Sequence, residues 1–154
     1  MQAFRFLGQD RRDPLARITW SRDWSSSPLG VVAYRREHLH HWLTPELWRV
    51  ELGDAVVERE LSIVGDRWRL ITVVEAWDST ACRDFLGWCV ERHPTAGLEP
   101  DDVGWTAACC AGYVASRFAG MDAVADGRDF EDGEQAERVL QLSWVLSRAA
   151  LAAE

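Results

Sequence analysis

The spacing of apolar residues changes once along this chain, near Trp77, and the change constrains what the chain can fold into. Before that point apolar positions tend to recur every second residue, the period of a half-buried strand; after it they recur every three to four, the period of a helix. Ala3–Leu7 alternates, with Phe4 and Phe6 on one face and Arg5 on the other. Arg17–Trp20 and Val31–Tyr34 read as brief extended runs, separated by SRDWSSSPLG, whose serines, proline and glycine predict a break. A short helix is expected around Arg36–Leu43, stopped by Thr44-Pro45 because proline disfavours a helical residue before it. Trp48 to Glu75 carries the clearest sheet signal. Trp48, Val50 and Leu52 alternate with Arg49 and Glu51, and Gly53-Asp54 supplies a reversal. AVVERELSIV follows, then a second expected reversal at Gly65-Asp66 and the strand WRLITVVEAW. This predicts an antiparallel meander of three strands.

From Asp78 the pattern is helical. Asp78 is a suitable N-cap for Ser79–Arg92, whose Cys82, Phe85, Leu86 and Cys89 fall on one stripe. Pro94 ends this helix, and TAGLEPDD leads to a second from about Val103 to Met121. There Ala108, Gly112 and Ser116 recur every four residues, a small-residue seam that admits a close neighbour. A third helix is expected with Asp132 as cap, Gln135 completing a capping box, and Val139, Leu142, Leu146 and Ala149 as its apolar face, flanked by Val145. The fold class expected is α+β: one domain over 1–154, with an antiparallel sheet in the N-terminal half and about three helices packed on one face. Nine tryptophans, evenly spread from Trp20 to Trp144, suit core filling better than a clustered cleft.

Charge is distributed unevenly. Residues 1–97 hold 13 arginines against 14 acids, whereas residues 98–154 hold 4 against 11, and the chain totals −8. Seven of the late acids lie between Asp122 and Glu137, opposed only by Arg128. Such a tract repels nucleic-acid phosphate and suits a basic protein partner, with Asp126, Asp129, Glu131, Asp132 and Glu134 as the partner-binding residues. The early arginines (Arg5, Arg11, Arg12, Arg17 and Arg22) interleave with Trp20 and Trp24, but Asp10, Asp13 and Asp23 largely cancel them, so nucleic acid is not expected. Calcium would find Asp126, Asp129, Glu131 and Asp132 crowded, yet without the ligand order of an EF-hand. Every basic residue is arginine, which excludes Schiff-base, lysine-base and phosphate-loop chemistry and fits a GC-rich bacterial source. Cys82, Cys89, Cys109 and Cys110 show no C-x-x-C spacing. With no signal-like start and no apolar run of spanning length, a reducing cytoplasm and no membrane contact are expected.

The most chemically suggestive segment is REHLHHWLTPELW. His38, His40 and His41 fall within four residues, and with Glu46 they form the candidate acid–base set. On a helix His38 and His41 share a face, as do Glu37 and His41, so His38, His41 and Glu37 are the metal-ligand candidates. The spacing is not H-E-x-x-H and no completing ligand is evident, so neither metal nor cofactor is expected. The bland alternative is an exposed turn whose histidines stack on Trp42 or Tyr34. Cys89 and His93 lie one helical turn apart, a geometry open to a nucleophile pair. Cys89, however, belongs to the apolar stripe, where a thiol is inert.

The run EHLHHWLTPELWRVEL, followed by VVERELSIVGDRWRLITVVEAWD, resembles a family of small bacterial and phage proteins of unassigned function. Its members share an ELW strand, a hairpin, and an R-L strand ending in Trp-Asp before a helix; their upstream histidine–cysteine element has no counterpart here. The tail AERVLQLSWVLSRAAL resembles the alanine-rich endings of bacterial immunity proteins. The resemblance implies an interaction protein and no reaction. The leading expectation is therefore a non-enzymatic, immunity-like or accessory protein that docks a basic partner through the acidic surface, with exposed tryptophans beside it as anchors. The alternative is a small-molecule enzyme or ligand binder with a tryptophan-lined pocket at His38, His40 and His41. A homodimer through the small-residue helix is a third.

Overall fold

The computed structural model describes residues 1–14, 18–93 and 105–152, with the side chains of 105–110 outside the description. Among the described residues five strands, β1 (Gln2–Leu7), β2 (Ser25–Ala33), β3 (Glu46–Leu52), β4 (Val56–Glu58) and β5 (Ile63–Val73), precede three α-helices, α1 (Ser79–Arg92), α2 (Trp105–Ala125) and α3 (Phe130–Arg148). The fold is α+β, an antiparallel sheet in the N-terminal half with helices of the C-terminal half packed on it. Strand order is β1-β3-β5-β2, with β4 also on β5. The two end strands of that order meet where Phe4 and Tyr34 exchange backbone hydrogen bonds of 2.9 and 2.8 Å, so the sheet curls on itself.

Curling divides the core in two. Ala3, Leu7, Trp20, Val31, Val50, Trp68 and their neighbours fill the interior of the curled sheet. Phe6, Tyr34, Leu47 and Trp77 instead meet the α1 stripe of Cys82, Phe85, Leu86 and Cys89, with Ala115 of α2 and Val145 of α3. Phe4 and Phe6 do share the helix-facing side, and Arg5, on the opposite side, turns inward and is buried. Tryptophan is mostly core: Trp20, Trp48, Trp68 and Trp77 are buried, and Trp88 and Trp144 pack on the helical core. No helix among the described residues is long and apolar enough to cross a membrane.

Three details differ from the sequence expectation. Gly65-Asp66 is not a reversal; β5 runs straight through it, and the chain turns back at Arg59–Ser62, where the Arg59 N–H reaches the Ser62 carbonyl at 2.8 Å. Glycine is needed at 65 for closeness, since a Cβ there would lie 3.2 Å from Leu52 Cβ and Cδ2. β3 therefore pairs with β5 rather than β4, and the meander is replaced by a long shared strand. SSSPLG belongs to β2, whose register slips between Ser26 and Val31. Pro28 sits in that irregularity, where no ladder bond is lost. Gly30 there has φ +67°, and a Cβ would stand 2.9 Å from Val64 Cγ1.

The third difference concerns α3. Its cap is Asp129, which accepts the Glu131 N–H at 2.8 Å, rather than Asp132 with Gln135. Its buried line runs through Gly133, Glu137, Gln141 and Val145, while Val139 is 56% exposed. Backbone proximity explains the rotation: a Cβ on Gly133 would come 2.5 Å from both the Ala119 carbonyl oxygen and Ala123 Cβ. In the α2 seam a Cβ on Gly112 would meet Gln141 of α3 at 3.1 Å and Phe85 of α1 at 3.3 Å, and Ser116 is buried, which leaves those residues no free face for a second copy; the side chain of Ala108 lies outside the description. Gln141 donates to the Gly112 carbonyl at 2.9 Å, so a polar residue is accommodated in this interface by a bond.

Candidate functional site

The histidines lie on a 3-10 helix, Arg36–His41, that crosses between the sheet and α3. Leu39 is fully buried and anchors it, and just beyond it Thr44 Oγ1 donates to the Leu7 carbonyl at 2.6 Å. With one core anchor and three residues per turn, the neighbouring side chains fan out toward α3. His38 and His41 ring centroids are 6.5 Å apart, and His40 and His41 are 4.0 Å apart with their planes tilted by 40°. Together they wall a half-open cleft of about 510 Å³, completed by Glu37, Glu60, Leu61 and the α3 residues Gln135, Arg138, Val139 and Leu142. A smaller recess of about 80 Å³, bounded by Gly112, Tyr113 and Gln141, shares His40, His41 and Arg138 with it.

Arg138 sets the electrostatics. Its Nη2 donates to Glu134 Oε1 at 2.8 Å and its Nη1 to His41 Nδ1 at 3.2 Å. A guanidinium only donates, so His41 Nδ1 carries the lone pair and the ring proton sits on Nε2. Burial first, then the charges of Arg138 and His38, hold His41 near a pKa of about 4. His40 is lowered further, to about 3, again by burial first and then by His41, Arg138 and His38. Both imidazoles are neutral at physiological pH. His38 Nδ1 and both ring nitrogens of His40 are out of solvent and have no hydrogen-bond partner in the protein.

The acid–base set is only partly assembled. His38, His40 and His41 converge, but Glu46 lies at the start of β3, accepts the Trp48 indole N–H at 2.9 Å and does not line the cleft. Among the described residues no group of three or more His, Cys, Asp and Glu side chains is placed to hold a metal ion, so His38, His41 and Glu37 do not form a ligand set. The His41 lone pair faced by a guanidinium gives one physical reason. Among the described residues no tryptophan lines either cavity; Trp20, Trp48, Trp68 and Trp77 are in the core and Trp88 and Trp144 pack on it. Sequence reading missed Arg138, Gln135, Val139 and Leu142. Their spacing of zero, three, four and seven was a visible helical face, one that overlapped the stripe assigned to the core.

The Cys89 thiol is raised to about 12, by burial and then by Glu137, so it is no nucleophile. Glu137 is buried and joins the helices: Arg92 Nη2 donates to it at 2.7 Å, and His93 Nε2 lies 3.4 Å away. His93 Nδ1 stands 3.8 Å from Asp122 Oδ2.

In the acidic segment Asp126, Asp129, Glu131 and Asp132 are exposed, and Arg128 Nη2 reaches Asp126 at 3.4 Å. Glu134 is withdrawn, only 17% exposed and held between Arg138 and Arg117. Among the described residues the exposed tryptophans, Trp24 and Trp42, are on the sheet side of the chain; the exposed apolar residues on α2 near the acids are Met121 and Val124. Comparison of the chain with family models, with curated proteins and with solved structures finds no match.

Proposed function

We propose that the chain is a non-enzymatic binding protein whose histidine cleft holds a small molecule. One observation carries this: of the five buried side-chain nitrogens without a hydrogen-bond partner among the described residues, three belong to His38 and His40, which line the cleft, and the other two are Arg5 Nε and Trp68 Nε1. Native proteins rarely tolerate such atoms, because each forfeits hydrogen bonds to water without replacement. A ligand in a cavity of this size would supply the missing partners once the His38 and His40 rings turn to present these nitrogens to it. Acid–base catalysis is disfavoured, since rings with pKa values of about 3 and 4 are weak bases and are not acids at neutral pH. The expected test result is saturable displacement of the His38 and His40 side-chain nitrogen resonances on adding small-molecule probes to the full chain. If resonances elsewhere move and these stay fixed, the cleft is not the binding site.

A second reading keeps the acidic surface as an immunity-like dock for a basic protein in a bacterial cytoplasm. It is favoured by the exposure of Asp126, Asp129, Glu131 and Asp132 around the start of α3. Buried free thiols at Cys82 and Cys89 suit a reducing compartment. Capture of a basic partner whose association rate falls with salt, and falls again when these four are neutralised, would support it.

A further inference from the structure

Resting on the acidic surface being a dock for a basic protein, we infer that the outer face of α2 forms the apolar half of that dock, and that the segment it takes is an amphipathic basic helix. Residue size along α2 is the first reason. The side turned to α1 and α3 carries Ala111, Gly112, Ala115, Ser116 and Ala123, all small and all buried. The large apolar residues point the other way: Tyr113, Phe118, Met121 and Val124 are 60, 38, 58 and 55% exposed. A surface helix ordinarily turns its large apolar residues inward and leaves polar ones outside. Here the small side lets the neighbouring helices approach closely, and the bulk stands where only a further partner would bury it.

Geometry gives the shape of that partner. On α2, Tyr113, Arg117 and Met121 follow one another at four residues and Phe118, Met121 and Val124 at three, so two ridges cross at Met121. A convex, ridged strip of roughly 17 Å is matched by the grooves of another helix. A strand has nothing to pair with there, because the backbone groups of a helix interior are already bonded to one another. Charge gives the composition. The strip ends at exposed acids, Asp122 and Asp126 at the end of α2 and Asp129, Glu131 and Asp132 at the start of α3. Arg117, the basic residue within the strip, is drawn toward α3, its guanidinium 4.3 Å over the Phe130 ring and 3.6 Å from Glu134. A second copy of this chain, itself at −8, brings no complementary charge, and an anionic lipid surface would be repelled. Lysine or arginine beside an apolar stripe on the partner helix supplies it.

The experiment follows the anisotropy of a dye-labelled leucine–lysine peptide patterned as an amphipathic helix, titrated with the full chain, beside a scrambled isomer of the same charge and no apolar face. The patterned peptide is expected to bind saturably and about tenfold more tightly than the isomer, the difference that burying one apolar anchor makes. Met121→Ser with Val124→Ser, both at exposed positions and checked by an unchanged melting temperature, should erase that preference while the isomer binds as before. Neutralising Asp126, Asp129, Glu131 and Asp132 together should weaken both peptides. Equal binding of the two peptides to wild type would overturn the inference and leave an acidic dock that acts by charge alone. Retained preference in the serine variant would overturn it too, because the apolar contact would then lie elsewhere. Should sedimentation show a wild-type dimer that the serine variant dissociates, the face belongs to a second copy and the inference falls. Should neither peptide bind, the acidic-dock reading itself falls.

Discussion

Inside the curled sheet and at the histidine cleft, the chain removes polar side chains from water, and it partners them to very different degrees. Arg5 and Asp13, each about 2% exposed, form an ion pair of 2.7 Å. Arg5 Nη1 donates to the Tyr34 hydroxyl at 3.1 Å and the Trp20 indole donates to Asp13 at 3.2 Å. Arg5 Nε and Trp68 Nε1 go without a partner there, but the buried charges are matched, whereas the cleft histidines His38 and His40 bury three ring nitrogens with no matching group among the described residues. A charge pair buried among partners behaves as part of the fold, and a set of neutral groups buried without them behaves as a surface held ready for something else. The two sites should therefore respond to mutation with opposite sign.

The largest effect belongs to the sheet interior. Asp13→Ala leaves the Arg5 guanidinium buried without its counter-charge, and removing one member of a buried pair costs about 3–5 kcal/mol. A drop in melting temperature of roughly 10 °C is expected from a change of that order in a chain this long. Urea denaturation measures it directly. A loss under 1 kcal/mol would mean that the pair is not the fastening described here. Next comes Gly133→Ala. Its new methyl would enter the contact with Ala119 and Ala123, and α3 must move away from α2 to admit it. Overpacking of this kind costs about 1–3 kcal/mol. Because Gln135 and Arg138 ride on the same helix, the variant should also perturb the cleft histidine resonances, which ties fold to site.

How far each region could be read from sequence follows the same division. The change of period at Trp77 and the Asp78 cap are local signals, and they appear where expected, with Asp78 accepting the Ala81 N–H at 2.9 Å. Pairing partners were not legible, because Gly65 acts through Leu52, thirteen positions away, and only the folded sheet distinguishes a close-packing glycine from a turn glycine. That Asp13 offsets the early arginines is visible in the sequence, but no local pattern shows that Arg5 and Asp13 pair with each other inside the core. For α3, hydrophobicity pointed to Val139, but backbone approach at Gly133 and bonds to Glu137 and Gln141 rotated the helix and put Val139 on the cleft. The histidine triplet was visible as chemistry. Its other half came from a helix about a hundred residues away, with no signal in the local sequence that the two would meet.

At the cleft the sign reverses. His40→Leu removes two unpartnered nitrogens and should raise stability by about 1 kcal/mol while ligand binding is lost. The pH dependence sharpens this. The unfolded chain's imidazoles protonate near 6.5, whereas His41 and His40 in the fold protonate only near about 4 and about 3. Between those limits the unfolded state binds more protons, so their contribution is present in full above 6.5 and drains as the pH falls. Wild type should lose stability across that window, and His40→Leu should lose less. Parallel pH profiles for the two proteins would show that His40 titrates normally and that the ring is hydrated.

The smallest effect is expected from Asp126→Asn, Asp129→Asn, Glu131→Gln and Asp132→Asn combined. All four side chains are exposed, and asparagine at 129 retains an acceptor for the Glu131 N–H, so the α3 cap survives. Against this, Glu131 and Asp132 favour the positive end of the helix dipole, and their neutralisation removes a few tenths of a kcal/mol. Relief of repulsion among the clustered carboxylates offsets part of that loss. A net change within about 0.5 kcal/mol is expected from denaturant unfolding. A larger loss would make the acids a fastening of α3, closer in kind to Arg5 and Asp13. A near-zero change, with any partner's association slowed, would place them with the histidines, as charge kept on the surface at no structural gain.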